Sequence, residues 1–294
     1  KTVGIEIPTL CYLEGISDIG SCRLCVVEVE GKNELVTACN TKAKEGMVVQ
    51  TASERVIEAR KTVLKLLLSK HNIDCFNCEK NGDCELQKYC NIYGIDTTPY
   101  FGSRGLLECE IPKKDAHPFL SYDQSKCIYC QRCVQTCRVA TGRRAIKLRR
   151  TGKFTIIDAP FGDDWEETRC ESCGNCAQAC PTGALSIKRI LNYRPWEVKR
   201  VRTTCPHCAT GCQYDLIVKD NKIVDVEAAD GPTNHNLLCV KGRSGSFDFV
   251  HSADRIKYPL IKNKETGEFE RASWDEALDL VASKFMEIRK QYGS

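Results

Sequence analysis

Apolar and polar positions alternate over Val26-Val27-Glu28-Val29-Glu30 and predict a strand, closed by a turn at Gly31-Lys32-Asn33. The period then changes. Thr51-Ala52-Ser53-Glu54 reads as a capping-box-like start, followed by Val56, Ile57, Arg60, Val63, Leu64, Leu67 and Leu68 on one face of a helix that should end near Lys70. A second helix is predicted over 84–92. Residues 94–118 carry repeated Gly and Pro turns and read as a connection, 152–157 reads as an inserted strand, and 184–187 as another. Residues 192–202 read as a basic linker containing Pro195. Beyond it, Tyr214–Val218 and Ile223–Val226 flank Asp220-Asn221 as a hairpin. Short strands are predicted at 259–261 and 267–269. Ser273, with Glu276 in the capping-box position, starts a helix whose face carries Trp274, Leu278, Val281, Phe285 and Ile288, and Gly293 stops it. Too little chain surrounds that face to bury it, so it is expected to pack on a following domain or another subunit. The pattern describes an α+β chain of small modules.

The cysteines give those modules their chemistry. There are 21 in 294 residues, too many for a reduced protein without metal and too closely spaced for disulfide-bonded modules. Cys127-x2-Cys130-x2-Cys133-x3-Cys137 is repeated as Cys170-x2-Cys173-x2-Cys176-x3-Cys180, followed by Pro181. This is the spacing of paired [4Fe–4S] clusters, in which the fourth Cys of each run serves the other cluster. One cluster is therefore expected on Cys127, Cys130, Cys133 and Cys180, the other on Cys170, Cys173, Cys176 and Cys137. Zinc or a disulfide framework is the alternative. Arg138 follows Cys137 where Pro follows Cys180, which leaves that turn less defined.

Three further groups flank this pair. Cys11, Cys22, Cys25 and Cys39 surround a small-residue loop suited to a [2Fe–2S] cluster, with structural thiols as the alternative. His71 follows the first long helix and precedes Cys75, Cys78 and Cys84, which reads as a one-His, three-Cys [4Fe–4S] site with Cys90 as the rival fourth ligand. Imidazole in place of thiolate removes one negative charge and should raise the potential. Cys205, Cys208, Cys212 and the remote Cys239 read as a fifth cluster, a [4Fe–4S], with a zinc ribbon as the alternative. Cys90 and Cys109 remain as partly buried free thiols. The boundaries expected are 1–50, 51–116, 117–195, 196–260 and an incomplete module at 261–294.

Charge narrows the partners. The formal net charge is +4. One [2Fe–2S] and four [4Fe–4S] clusters with their thiolates would add roughly −9, leaving about −5. The basic runs 138–150 and 188–202 then suit either cluster charge and an acidic subunit or a solvated face; they lack the interleaved aromatics of nucleic-acid binding. The chain starts with Lys rather than Met and reads as a fragment. No signal peptide and no apolar run of membrane-spanning length is visible, so a cytoplasmic protein without membrane insertion is expected. Without a Gly-x-Gly-x-x-Gly or a Walker loop, neither FMN nor NAD is expected to bind this chain.

The order of modules resembles the N-terminal half of iron-only hydrogenases and the large iron–sulfur subunit of complex I. The next motif separates them. Cys205-Pro206-His207-Cys208-Ala209-Thr210-Gly211-Cys212 with Cys239-Val240-Lys241-Gly242-Arg243 resembles the small [4Fe–4S] domain that opens molybdopterin oxidoreductases. Phe249–Ile261 and Ala272-Ser273-Trp274-Asp275-Glu276-Ala277 resemble its continuation, and the whole is most similar to the alpha subunit of NAD(P)-dependent, multi-cluster formate dehydrogenases. The resemblance implies a β-grasp [2Fe–2S] ferredoxin shortened at its start, then the one-His domain, a two-cluster ferredoxin and a β-rich cluster domain. It implies a Mo or W bis-molybdopterin guanine dinucleotide downstream, with Lys241 between the last cluster and the pterin. It also implies a hetero-oligomer with an FMN/iron–sulfur NAD(P)-binding flavoprotein and a small [2Fe–2S] subunit. The function implied is an electron relay between a formate-oxidising, CO2-reducing site and that flavoprotein, with no catalytic residue in this stretch. The alternatives are the cluster subunit of a complex I-like NADH dehydrogenase and a non-catalytic scaffold of a bifurcating flavin complex.

Overall fold

The computed structural model describes residues 4–100, 116–151, 154–158, 160–161, 165–188, 193–244 and 247–293. It divides into two compact units, Lys1–Gly245 and Ser246–Ser294.

In the first unit β1 (Val26–Val29) lies between β2 (Val36–Thr37) and β3 (Val49–Gln50), antiparallel to both. Val26, Val27 and Val29 are buried. α1 (Glu54–Leu68) starts at Ser53, whose Oγ accepts from Val56 N at 3.3 Å and donates to Glu28 Oε2 at 2.7 Å. The cap is thus Ser53 rather than the Thr51 of the capping-box reading: Ser53 is extended, its side chain accepts from the first turn, and it also reaches β1. Val56, Leu64 and Leu68 are buried with Arg60, which donates to Val26 O at 2.8 Å and to Tyr93 Oη at 3.1 Å. α2 (Glu85–Ile92) completes this part. One apolar cluster runs through Leu10, Leu24, Leu64, Leu86 and Tyr89 to Ile128, so the early modules share a core with the start of the duplicated region.

The duplicated region pairs β4 (Leu120–Tyr122) with a distant strand across two equivalent loops. Tyr129 and Gln131 in the first loop have φ of 54° and 61°; Ser172 and Gly174, at the matching positions of the second, have 56° and 70°. Each loop feeds a short helix, α3 (Arg132–Gln135) in the first. α3 continues as a single wide turn over Thr136–Ala140, with Thr141 N bonded to Thr136 O at 3.2 Å. Arg138, unlike a Pro, allows that continuation, since it keeps its N–H. β5 (Leu148–Thr151) and β6 (Phe154–Ile157) form an antiparallel pair, so the inserted strand has a partner the sequence pattern did not reveal. Gly152 and Lys153 lie outside the described residues, as does Cys109. α4 (Asn175–Gln178) follows the second loop, and β7 (Leu185–Ile187) closes on β4. Leu120, Tyr122, Ile157, Phe161 and Leu185 form the core.

The expected basic linker ends as a strand. β8 (Lys199–Thr204) pairs with β9 (Gln213–Lys219), which pairs with β10 (Lys222–Ala228). Arg200 and Arg202 are held across the sheet by Glu227 at 3.3 Å and Asp215 at 2.5 Å, so this part of the basic run is matched within the sheet. Asp220 and Asn221 turn the hairpin with φ of 48° and 59°, the two positive values that a type I′ turn requires. α5 (Val240–Ser244) follows.

The second unit contains α6 (Asp248–His251), the antiparallel pair β11 (Leu260–Lys262) and β12 (Phe269–Arg271), and α7 (Trp274–Tyr292). The Ser273/Glu276 capping box is present, and Gly293 ends the helix at φ 81°. Trp274, Leu278, Val281, Phe285 and Ile288 are all exposed. No helix among the described residues is long and apolar enough to cross a membrane.

Candidate metal centres

Positive φ at alternate loop positions turns backbone N–H groups toward the sulfurs they enclose. Tyr129 N donates to Cys127 Sγ at 3.4 Å and Ser172 N to Cys170 Sγ at 3.5 Å, the same bond in both repeats. An L-residue at positive φ costs about 1–2 kcal/mol, so two such repeated turns point to a shared need to wrap the thiols.

The grouping of those thiols crosses between repeats. Burial, then the charge of Cys130, Cys127 and Cys180, raises the Cys133 thiol pKa well above normal. Burial, then Cys173, Cys170 and Cys137, does the same to Cys176. One cavity is walled by Cys137, Cys170, Cys173 and Cys176. Cys180 therefore stands with the first triplet and Cys137 with the second.

In the N-terminal part, Cys22 donates to Cys11 and brings its pKa down to about 5. Cys39 is pushed up to about 12 by burial and then by Cys25 and Cys11. Cys11, Cys22, Cys25 and Cys39 thus meet at one place.

α1 hands the chain to His71, whose N–H bonds Leu68 O at 3.1 Å. A cavity beside it is walled by His71, Cys75, Cys78 and Cys84, with Lys126 and Gly183. Burial brings the His71 pKa down to about 4, so the ring is neutral, and Nδ1 is buried with no partner. Cys84 is pushed up to about 11, first by burial. Cys90, at about 12 for the same reason, sits in the apolar core with Leu64 and Leu86 and is not part of that wall. Gly183 is required here: a Cβ would meet Cys78 Sγ at 2.4 Å.

Cys205 is buried, whereas Cys208 and Cys239 are exposed. Cys212 is raised by burial and then by Cys205, Cys208 and Cys239, which gathers these four. Cys208 is lowered by a bond to Thr210 and, further down, by Lys241, which is exposed on α5.

Neighbouring sets are tied by direct bonds. Ser21 Oγ donates to Cys130 O at 3.2 Å. Glu85 N donates to Pro181 O at 3.0 Å, and Cys84 Sγ lies 3.6 Å from the same oxygen. Buried Arg132 grips Glu85 at 2.5 and 3.0 Å. Asn175 exchanges two bonds with Leu238, and Arg243 donates to Cys173 O at 2.8 Å and Asn175 Oδ1 at 2.9 Å. Arg243 lies over Gly174, where a Cβ would meet its Cδ at 2.5 Å. Sequence reasoning missed Asn175, Arg243 and Glu85. It also missed fully buried His117, whose Nε2 is 3.5 Å from Cys170 Sγ. These contacts span 47 to 109 residues, and no spacing signal marks them.

The donor sets fit iron–sulfur clusters. Among the described residues no three His, Cys, Asp or Glu side chains could hold one metal ion. A cluster instead sets several irons and sulfides between its thiolates. The orphaned His71 Nδ1, the N–H groups aimed at sulfur and the cradle at Gly183 are the marks of such a group.

Known families match along the chain. Residues 1–54 match the 2Fe-2S iron-sulfur cluster binding domain, 60–99 the NADH-ubiquinone oxidoreductase-G iron-sulfur binding region, and 164–186 a 4Fe-4S binding domain. Residues 198–251 match the molybdopterin oxidoreductase Fe4S4 domain and 255–294 the molybdopterin oxidoreductase family. The chain is 36% identical over 293 residues to the NADPH-Fe(3+) oxidoreductase subunit alpha of Geobacter sulfurreducens, covering 99% of this chain and 33% of that protein. It is 37% identical to an NADH-quinone oxidoreductase subunit of Rhizobium meliloti, covering 97% of this chain and 33% of that protein. A Staphylococcus aureus protein named provisionally as a formate dehydrogenase is 30% identical, covering 100% of this chain and 33% of that protein. The chain thus spans about a third of the length of these curated relatives. Among solved structures, the NAD+-reducing [NiFe]-hydrogenase in the H2-reduced state matches with a TM-score of 0.54 at 30% identity, over 66% of this chain and 80% of that one. The chain belongs to the iron–sulfur proteins built from NADH-ubiquinone oxidoreductase-G and molybdopterin oxidoreductase domains.

Proposed function

We propose that this chain is the electron relay of a formate-oxidising, CO2-reducing oxidoreductase, linking a Mo- or W-pterin site downstream to an NAD(P)-linked flavoprotein. The observation that carries it is five sets of donors joined by hydrogen bonds within one compact unit. The ligands are Cys11, Cys22, Cys25 and Cys39 for a [2Fe–2S] cluster in a β-grasp module, and His71, Cys75, Cys78 and Cys84 for a [4Fe–4S]. Three more [4Fe–4S] sites lie on Cys127/Cys130/Cys133/Cys180, Cys137/Cys170/Cys173/Cys176 and Cys205/Cys208/Cys212/Cys239. Bound there, such clusters carry electrons singly without bond rearrangement.

The protein's own bonds support an order. Asn175 joins the Cys205 set to the Cys170 set, and the two crossed sets adjoin through Cys133 and Cys176. The Cys127 set then meets the His71 set at Pro181 and, separately, the Cys11 set at Ser21. Electrons would leave the Cys127 set through the His71 and Cys11 sets, whose surroundings share one apolar core. Exposed Cys208, Cys239 and Lys241 share the end at which the pterin would dock, with Lys241 against the pterin edge. A flavoprotein and a small [2Fe–2S] subunit as partners, and a cytoplasmic location, follow from the same reading.

The higher identity to NADPH-Fe(3+) and NADH-quinone oxidoreductase subunits supports a second reading, an NAD(P)H-linked relay whose far substrate is not formate. Metal analysis of the full-length subunit in its complex separates them. About one Mo or W per chain with formate-dependent NAD(P) reduction supports the first; iron alone and no formate activity overturns it.

A further inference from the structure

His117 is fully buried, and the structure fixes which of its nitrogens carries hydrogen. The N–H groups of Phe119 and Leu120 both donate to Nδ1, each at 3.1 Å. A nitrogen that accepts two hydrogen bonds has no proton of its own, so the neutral ring is protonated on Nε2. Nε2 lies 3.5 Å from Cys170 Sγ. Trp165 packs on the ring, its centroid 4.8 Å away and tilted by 55°. The loop Ser172 N–H gives Cys170 a second donor at 3.5 Å.

We propose that His117 is a redox-positioning residue: its Nε2–H donates to the Cys170 thiolate and holds the potential of the cluster on Cys137, Cys170, Cys173 and Cys176 above the value four thiolates alone would give. The proposal rests on that cluster assignment. The physical reason is charge. Reduction adds a negative charge shared by the ligand sulfurs, and a fixed N–H dipole in a water-poor site favours the reduced state more than the oxidised one. One electron enters from a neighbouring set and leaves to another; the N–H is shared with sulfur and no proton is transferred. Two backbone donors lock the tautomer, so the bond is preorganised in both redox states.

The test uses the full chain with its clusters. His117→Asn keeps a short carbonyl able to accept from the Phe119 and Leu120 N–H groups and removes the donor to Cys170. The expected result is unchanged iron content, a downward shift in the midpoint potential of one [4Fe–4S] cluster in an EPR-monitored titration, and unmoved potentials for the rest. Wild-type chain labelled with 15N-histidine should also show a nitrogen hyperfine coupling on that cluster, lost in the variant; this readout stands even where the variant loads poorly. A normal cluster with no histidine coupling, or with a potential unmoved or raised in His117→Asn, overturns the proposal alone. Absence of any cluster on these four thiols overturns it together with the assignment beneath it.

Discussion

Asn175 and Leu238 exchange two hydrogen bonds, Nδ2 to the Leu238 carbonyl at 2.9 Å and the Leu238 N–H to Oδ1 at 3.0 Å. Asn175 precedes Cys176 and Leu238 precedes Cys239, so this exchange fixes the separation of two donor sets. Replacing Asn175 by Ala would leave buried backbone groups unpaired, at about 1–3 kcal/mol each. Urea unfolding of the loaded chain should register a loss of roughly 2–4 kcal/mol. Iron would stay on both sets. A loss below about 0.5 kcal/mol would mean that water replaces the amide without penalty.

Gly183 is one of the points where the duplicated region touches the His71 set. With Cys78 Sγ only 2.4 Å from the place of a Cβ, Gly183→Ala must displace that thiol. The iron content should fall by about four per chain, with the other EPR signals intact. Gly267→Ala, strained by its φ of +77° but with nothing within 4 Å, is the control for backbone strain without crowding and should leave iron unchanged.

His71 gives a pH signature before cluster loading. Its folded pKa of about 4 lies below the unfolded value of about 6.5. Between these values the unfolded chain binds more protons, so stability falls as pH drops from about 6.5 to about 4. The change is flat outside that window and amounts to roughly 3 kcal/mol. His71→Gln should abolish it; an identical pH profile in the variant would contradict the buried neutral ring.

The choice between His71 and Cys90 is open to direct test. Cys90→Ala should keep the cluster, because Cys90 packs in the apolar core and is no part of the cavity wall. His71→Cys should keep it at a lower potential, since a thiolate adds negative charge. Iron lost from Cys90→Ala with the His71→Cys potential unmoved would reverse the assignment.

The proposed donor groupings rest mostly on short spacings, because cluster ligation depends on them and a spacing is visible in a sequence. The Val26–Val29 strand, the 213–228 hairpin and the capped C-terminal helix were legible for the same reason: each rests on a local period or turn. β8 was not. Arg200 and Arg202 look solvated in one dimension and find Glu227 and Asp215 only when the sheet forms. His117, Arg243 and Asn175 were hidden by distance along the chain, since the groups they contact lie 53, 70 and 63 residues away. A single His between Ala116 and Pro118 carries no periodic signal at all.

The relay itself is tested most directly by counting iron and acid-labile sulfide per chain, with Mössbauer spectra to sort cluster types. One [2Fe–2S] and four [4Fe–4S] clusters give about 18 iron atoms. A fully loaded chain that saturates at about 14 or fewer, with zinc making up the difference, would contradict the five-set account.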